Sequence, residues 1–335
     1  MNAQSNRTIL VIGATGAMGR PIIKHLLADT TNNWQIRAFT RNLQSPQAQQ
    51  LVELGKGRVE LFQGDLNDTN SVAAAMQNIY GVFCNTDFWS SCSVAVEREQ
   101  GLRVLAAAKN ASVQHLVYSS LESCAYLSEG KIPVAHFDSK AAVEHEIDWQ
   151  RSHEFMQQLP DGWYSNNVTV LRTLAYFENL MAFFLPQKGT LSDGREGYIF
   201  TFPMQDAAYP FVALDDIAWF TTYLFANPQE WGGKTLSIGS ELISIAELAA
   251  TFEKVTGIPA EYNAISDETF LSFGIPNGHD ALNQMRFHRE YGPARDYAAL
   301  RAIHPSLRTF EMWLKESGWR GEYRDVQKGS ITGDS

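Results

Sequence analysis

Cysteine is scarce in this chain. Cys84, Cys92 and Cys124 are the only three among 335 residues, and no two form a CxxC pair. A sparse, odd set argues against a disulfide framework and suits a reducing compartment, so a cytoplasmic location is expected. Basic residues are the minority, 27 Lys and Arg against 37 Asp and Glu, for a formal net charge of −10. That balance speaks against direct nucleic-acid binding. No apolar run approaches the ~20 residues of a membrane span. The opening "MNAQSNRTILVIGATG" has no apolar segment of leader type before its first glycine turn, so neither a signal peptide nor a membrane anchor is expected. The eight histidines are scattered without HxxxH or HExxH spacing, so no metal site is expected. Internal repeats and low-complexity tracts are also absent.

What is present is enough apolar material, 44% of the residues, for a large core in one big domain or two lobes. The first half alternates strand-like and helix-like segments. "TILVIG" (8–13) is a β-rich run, and "GRPIIKHLLAD" (19–29) carries Ile22, Ile23, Leu26 and Leu27 at helical spacing. "WQIRAFT", "RVELFQ", "YGVFCN" and "HLVYSS" follow as strands, with helices expected around 46–54, 69–77 and 94–109. Such alternation with branched, buried strands predicts an α/β fold, a Rossmann-type doubly wound parallel sheet with ligands beyond the carboxyl ends of the strands. "VTVLRT" (168–173) and "KTLSIGS" read as further strands, and a helix is expected from about Leu214. Beyond residue 243 the pattern is of helical pieces punctuated by Gly and Pro. The expected organisation is a nucleotide-binding domain over 1–174 that continues into 211–240, a smaller, mostly helical α/β lobe over 175–325 interleaved with it, and a flexible tail at 326–335.

"VIGATGAMG" places Gly13, Gly16 and Gly19 directly after the first strand and at the start of a helix. The first glycine permits the tight turn, the second lets a diphosphate approach the backbone, and the third allows close helix–strand packing. The helix N-terminus would then face the phosphates. An ordinary Gly-rich turn is the plainer alternative. The second strand ends "AFTRN", with no acid at the tip to hold a ribose 2′-hydroxyl and with Arg41 there instead. A guanidinium binds a 2′-phosphate bidentately, so the cofactor expected is NADP(H). Asp65 and Leu66 follow the third strand and are candidates to cover the adenine. Asn85 to Trp89 ends the fourth, where ribose and diphosphate lie.

These residues together resemble the NmrA-like branch of the atypical short-chain dehydrogenases, nearest to its NADPH-sensor type. The resemblance rests on GATGAMG, Thr40-Arg41-Asn42, Gly64-Asp65, "FWSSCS" (88–93), "AHFDSK" (135–140), and "YFENL" followed by "FFLPQ", and it spans nearly the whole chain. It implies a cofactor shell of Gly13, Ala14, Thr15, Gly16, Ala17, Met18, Arg41, Asp65, Leu66, Thr86, Asp87, Phe88, Lys140, Tyr176, Phe177, Glu178 and Asn179. It also implies two contrasting outputs. Sensor-type and fungal members regulate, through changes of shape and association or by binding transcription factors. The neighbouring isoflavone-reductase-like enzymes reduce small molecules with a lysine and no tyrosine. The segment "QRSHEFMQQLPDGWYSN" is longer than the link the family has at that point.

Short-chain dehydrogenases commonly carry a proton-donating tyrosine four residues before a lysine. Here His136 stands before Lys140. Positions i and i+4 share a helix face, so both side chains are directed to one cleft. Ammonium and helix N-terminus both disfavour an imidazolium at that place, which weakens the usual carbonyl-reductase route. Lys140 and His136 are nonetheless the two candidate catalytic residues, Lys140 either as an acid/base or as a ribose anchor. Ser119, Ser120 and Ser123 in "YSSLES" either face the nicotinamide or cap a turn, and the sequence does not choose among them. The expected partner is a regulatory protein or a small apolar substrate, with the chain a monomer or homodimer.

Overall fold

The elements follow from local pattern. In this computed structural model, which describes residues 7–292 and 294–326, the first strand β1 (Thr8–Ile12) leads through the glycine turn to α1 (Gly19–Ala28). Then come β2 (Gln35–Thr40), α2 (Pro46–Gly55), β3 (Val59–Gln63), α3 (Thr69–Ala75), β4 (Gly81–Cys84), α4 (Val94–Asn110) and β5 (His115–Ser120). Side-chain caps mark the helix starts. Ser45, Asp68 and Ser93 each accept an amide hydrogen bond from the first turn of α2, α3 and α4, and Pro46 opens α2 where its missing N–H costs nothing. After the short α5 (Cys124–Leu127) the long α6 (Ala135–Met156), α7 (Trp163–Asn167) and β6 (Val168–Arg172) complete this pattern.

The chain then turns to smaller pieces: β7 (Ala175–Tyr176), a 3₁₀ turn at Phe177–Met181, β8 (Gln187–Thr190), β9 (Glu196–Phe202) and β10 (Ala208–Val212). They are followed by α8 (Leu214–Ala226), α9 (Pro228–Trp231), β11 (Thr235–Ser237), β12 (Glu241–Ser244), α10 (Ile245–Thr256), β13 (Ala260–Ala264), α11 (Asp267–Ser272), α12 (Gly278–Glu290), α13 (Tyr297–Ile303) and α14 (Phe310–Ser317).

These elements fall into two compact units, each assembled from separated stretches. One takes residues up to Leu121, His136–Arg172 and Ile217–Ser237; the other takes Glu122–Ala135, Thr173–Asp216 and residues from Ile238 on.

The first unit holds a seven-stranded sheet in the order β11-β6-β5-β4-β1-β2-β3, and every pairing in it is parallel. This is the doubly wound sheet expected from the alternation. Successive strand residues face opposite sides. Leu10, Ile12, Val82, Cys84, Leu116 and Tyr118 pack with Val72 of α3, Val104, Leu105 and Ala108 of α4, and Val143 and Ile147 of α6. The strand order reverses between β1 and β4, which makes their carboxyl ends the switch point where such sheets bind ligands.

The second unit contains two three-stranded sheets, β12-β10-β7 and β13-β9-β8, among its helices. The sequence pattern had suggested few strands here. β8 and β13 have little buried surface and give no apolar run, whereas β9 alternates half-buried and buried residues from Gly197 to Phe202. A full capping box on Ser244 and Glu247 starts α10, and Gly257 ends it in the left-handed region. Asp216 gathers the Ser240 hydroxyl, the His304 ring and the Arg308 guanidinium around one buried carboxylate. Val326 is buried; the rest of the tail expected at 326–335 lies outside the described residues. No described helix is long and apolar enough to cross a membrane.

Candidate functional site

The turn between β1 and α1 bears out the tight-turn reading of Gly13 and the packing reading of Gly19. Gly13 has φ +80°, and a side chain there would also meet the Asn85 carbonyl at 3.0 Å. A Cβ at Gly19 would lie 2.2 Å from the Gly13 carbonyl oxygen, so the third glycine is demanded by packing. Gly16 is different: its nearest neighbour would be 3.4 Å away, an ordinary contact. Its lack of a side chain leaves open the approach to the backbone from outside, which is what a diphosphate requires. Ala14 and Met18 are buried while Thr15, Gly16 and Ala17 are half-buried. The first turn of α1 contains no acid to oppose an anion. The residues present therefore fit a dinucleotide diphosphate.

Arg41 is exposed directly beyond β2, and among the described residues its guanidinium has no ion-pair partner. Asn42 turns the chain behind it, its side-chain oxygen accepting from the Gln44 amide at 2.9 Å. Asp65 is exposed, with one carboxylate oxygen accepting from the Asn67 amide at 2.8 Å, and Leu66 packs on the core.

Lys140 sits behind the end of β4. Its ammonium donates to the Glu97 carboxylate (2.7 Å), the Thr86 carbonyl (2.7 Å) and the Thr86 hydroxyl (3.1 Å), with the Asn85 side-chain oxygen at 3.4 Å. An ammonium has three protons, so the protein already supplies an acceptor for each. Glu97 has 0% exposure and also accepts from the hydroxyls of Thr86 (2.7 Å) and Ser139. Burial pushes its carboxyl up, but the Lys140 charge and these hydrogen bonds outweigh burial and hold it below the ordinary carboxylate range. The neighbouring thiol of Cys84 is pushed up to about 12, chiefly by burial. The pair forms because α4 and α6 approach closely at Gly101, where a Cβ would lie 2.6 Å from Val143. Gly101 is one turn after Glu97, and Val143 one turn after Lys140.

Glu97 is the site residue that motif reading overlooked. Its signal was available: Glu97, Gly101, Val104, Leu105 and Ala108 fall on one face of α4, all buried, so a carboxylate occupies a core position of an amphipathic helix.

His136 lies in the first turn of α6 with its ring among aromatics. Its centroid is 4.9 Å from Trp89, 4.8 Å from Phe137 and 6.2 Å from Phe88. Phe88 is buried while Trp89 is 46% exposed and Asp87 is exposed. The Thr86 hydroxyl is engaged by Glu97 and Lys140, and its carbonyl oxygen by Lys140 as well. Ser120 donates to Glu144 (2.6 Å), which also pairs with Arg172 (2.7 Å), and the Ser119 hydroxyl is directed to the Met18 sulfur at 3.6 Å.

Tyr176, Phe177, Glu178 and Asn179 belong to the other unit. There Phe177 is fully buried against Phe211, Phe310 and Trp313. Glu178 accepts from the Trp313 indole N–H (2.9 Å) and the Leu214 amide (3.2 Å). Both side chains are directed into their own core, so any contact of theirs with a cofactor would be through backbone. Tyr176 is half-buried and Asn179 is half-buried. Exposed Cys92 follows in the loop after β4, and among the described residues no three His, Cys, Asp or Glu side chains gather as metal ligands.

Comparison with known proteins gives a consistent result. The model of the NmrA-like family matches residues 5–320. An NmrA-like family domain-containing oxidoreductase of Aspergillus hancockii is 29% identical over 290 residues, covering 82% of this chain and 81% of its own. Among solved structures, the negative transcriptional regulator NmrA in complex with NADP superposes with a TM-score of 0.68 at 20% identity, over 93% of this chain and 95% of that one. A triphenylmethane reductase of Citrobacter sp. complexed with NADP(H) superposes with a TM-score of 0.68 at 22% identity, over 92% and 99%. At such identities the structural likeness speaks to the fold.

Proposed function

The chain belongs to the NmrA-like family, and from that premise we propose that it is an NADP(H)-binding protein whose cofactor occupancy controls conformation and the binding of a protein partner. Gly13 to Met18 would hold the diphosphate and Arg41 the 2′-phosphate. The observation that carries the regulatory reading is the state of Lys140. Its three protons have acceptors within the protein and its charge is matched by buried Glu97. A proton donor for a substrate would have to leave that arrangement. The residue in the tyrosine position supports the same reading, since the His136 ring is packed among aromatics. An exposed apolar stretch at the end of α6 and beyond, with Phe155 at 84% exposure beside exposed Met156 and Leu159, offers a surface for a partner.

A second reading, an NADPH-dependent reductase of a small apolar carbonyl, enone or imine, draws support from the exposed Trp89 ring beside His136. That ring gives a planar wall against which a conjugated substrate could lie, and the relative from Aspergillus hancockii carries the name oxidoreductase. Water or Lys140 would supply the proton.

One experiment separates the two. NADPH and NADP⁺ are titrated into the purified protein while hydrodynamic radius is followed. NADPH consumption is then measured against aldehydes, quinones, enones and cyclic imines, with Lys140→Ala as control. Binding with a changed radius and no turnover is expected. Turnover that vanishes in Lys140→Ala would establish the reductase instead.

A further inference from the structure

The strand order assigns the two halves of a bound dinucleotide to different ends of the sheet. Arg41 follows β2, on one side of the switch point between β1 and β4. The nicotinamide half then belongs on the other side, beyond β4 and β5. Lys140 and Glu97 lie behind that end, because the ammonium is bonded to Asn85 and Thr86, the first residues past β4. The Gly13 turn touches the same residues: a Cβ at Gly13 would meet the Asn85 carbonyl at 3.0 Å.

A nicotinamide ring carries a positive charge when oxidised and none when reduced. A fixed charge near it therefore changes the ratio of the two affinities, whereas shape and hydrogen bonding elsewhere in the cofactor act on both alike. A lone lysine at this place would disfavour the oxidised ring. Here the lysine is not alone: Glu97, wholly buried, stands 2.7 Å from its ammonium.

We infer that Glu97 is the positioning residue that sets the preference between oxidised and reduced cofactor, by cancelling the Lys140 charge and holding its ammonium against the Thr86 carbonyl and the Asn85 side-chain oxygen. The inference rests on the NADP(H) reading above. It differs from a structural role for Glu97 in one measurable respect, the ratio of two dissociation constants.

Glu97→Gln keeps the shape and the acceptor toward Lys140 while removing the charge. The Ser139 hydroxyl, which now donates to Glu97, can accept from the new amide. The ratio Kd(NADP⁺)/Kd(NADPH), measured by fluorescence titration, is expected to rise at least about threefold, the order of effect that a nearby unit charge exerts even at a water-like dielectric. Adding Lys140→Met removes the unmasked charge and is expected to return the ratio to the wild-type value. Lys140→Met alone exposes the opposite charge and lowers the ratio, so either single variant carries the test if the other fails to fold. An unchanged ratio in Glu97→Gln would overturn the inference. So would equal losses for both cofactors, which would mark Glu97 as a structural residue only. If the wild-type protein binds neither cofactor, the NADP(H) reading falls and this inference falls with it.

Discussion

Glu97 in the first unit and Glu178 in the second are the same residue type at the same depth, 0% and 2% exposed, yet they titrate in opposite directions. Both receive hydrogen bonds on both carboxylate oxygens. Glu97 is held below the ordinary carboxylate range, because the Lys140 ammonium overcomes its burial. Glu178 is pushed up to about 7: burial outweighs its bonds from Trp313 and Leu214, and nearby Asp216 adds to the shift. Among the described residues no cation pairs with Glu178. The contrast shows that neutral N–H donors satisfy the geometry of a buried carboxylate without compensating its lost hydration. A full opposite charge does both.

The largest effect should come from breaking the compensated site. Lys140→Met leaves a buried carboxylate without its partner and is expected to cost about 3–5 kcal/mol in denaturant unfolding, while the added change Glu97→Gln recovers much of that loss. A double variant no more stable than Lys140→Met would mean that packing, and not the uncompensated charge, sets the cost.

The second effect is a matter of pH, and its sign differs between the units. The Glu178 pKa is higher folded than unfolded, so the native state binds the extra proton between about 4.5 and about 7. Stability from this group is thus present in acid and lost as pH rises through that window, by roughly 3 kcal/mol in full. In the first unit, burial lowers the His115 imidazole to about 4, with its ring nitrogen 2.8 Å from the Thr169 hydroxyl. Its folded state binds fewer protons, so its contribution is present above about 6.5 and is lost as pH falls toward 4. Hydrogen exchange resolved by residue should show protection in the second unit falling, and in the first unit rising, as pH increases from 4.5 to 6.5, after correction for intrinsic exchange. Glu178→Gln should flatten the slope in the second unit alone. The slope is the diagnostic, because the amide also loses one acceptor. A persistent slope would place the proton elsewhere.

The same contrast explains what was legible in the sequence. Backbone requirements leave strong local marks. The glycines of the β1–α1 turn, the β–α alternation and the start of α8 at Leu214 could all be read directly. Charge compensation leaves a weaker mark, since Glu97 and Lys140 stand 43 residues apart and only the helical spacing of Glu97 with Val104 and Leu105 betrays its burial. Motif resemblance grouped Phe177 and Glu178 with Tyr176 and Asn179. A 3₁₀ turn sends neighbouring side chains in different directions, and these two enter the core of their own unit. The small sheets were hard to see because β8 and β13 are partly exposed, and exposed strands lack an apolar signature.

Smaller effects are expected where charges and apolar groups already face water. Arg41→Ala should weaken NADPH binding by roughly 1.5–3 kcal/mol, the range of charge-assisted hydrogen bonds, and should leave NADH nearly untouched. Equal losses for the two cofactors would sink the 2′-phosphate assignment. Phe155→Ser should change folding stability by less than about 0.5 kcal/mol, because an exposed ring contributes little to the folded state. Its informative consequence lies elsewhere. If the apolar stretch around Phe155, Met156 and Leu159 is the surface that reads out cofactor state, the substitution leaves NADPH affinity intact while weakening self-association or partner capture. Sedimentation of the variant and of the wild-type chain, each with and without NADPH, measures the first of these directly. Pull-down with and without NADPH measures the second. A variant that associates in all respects like the parent would remove this face from the regulatory reading and leave the charge-compensated site untouched, since the stretch shares no residue with it.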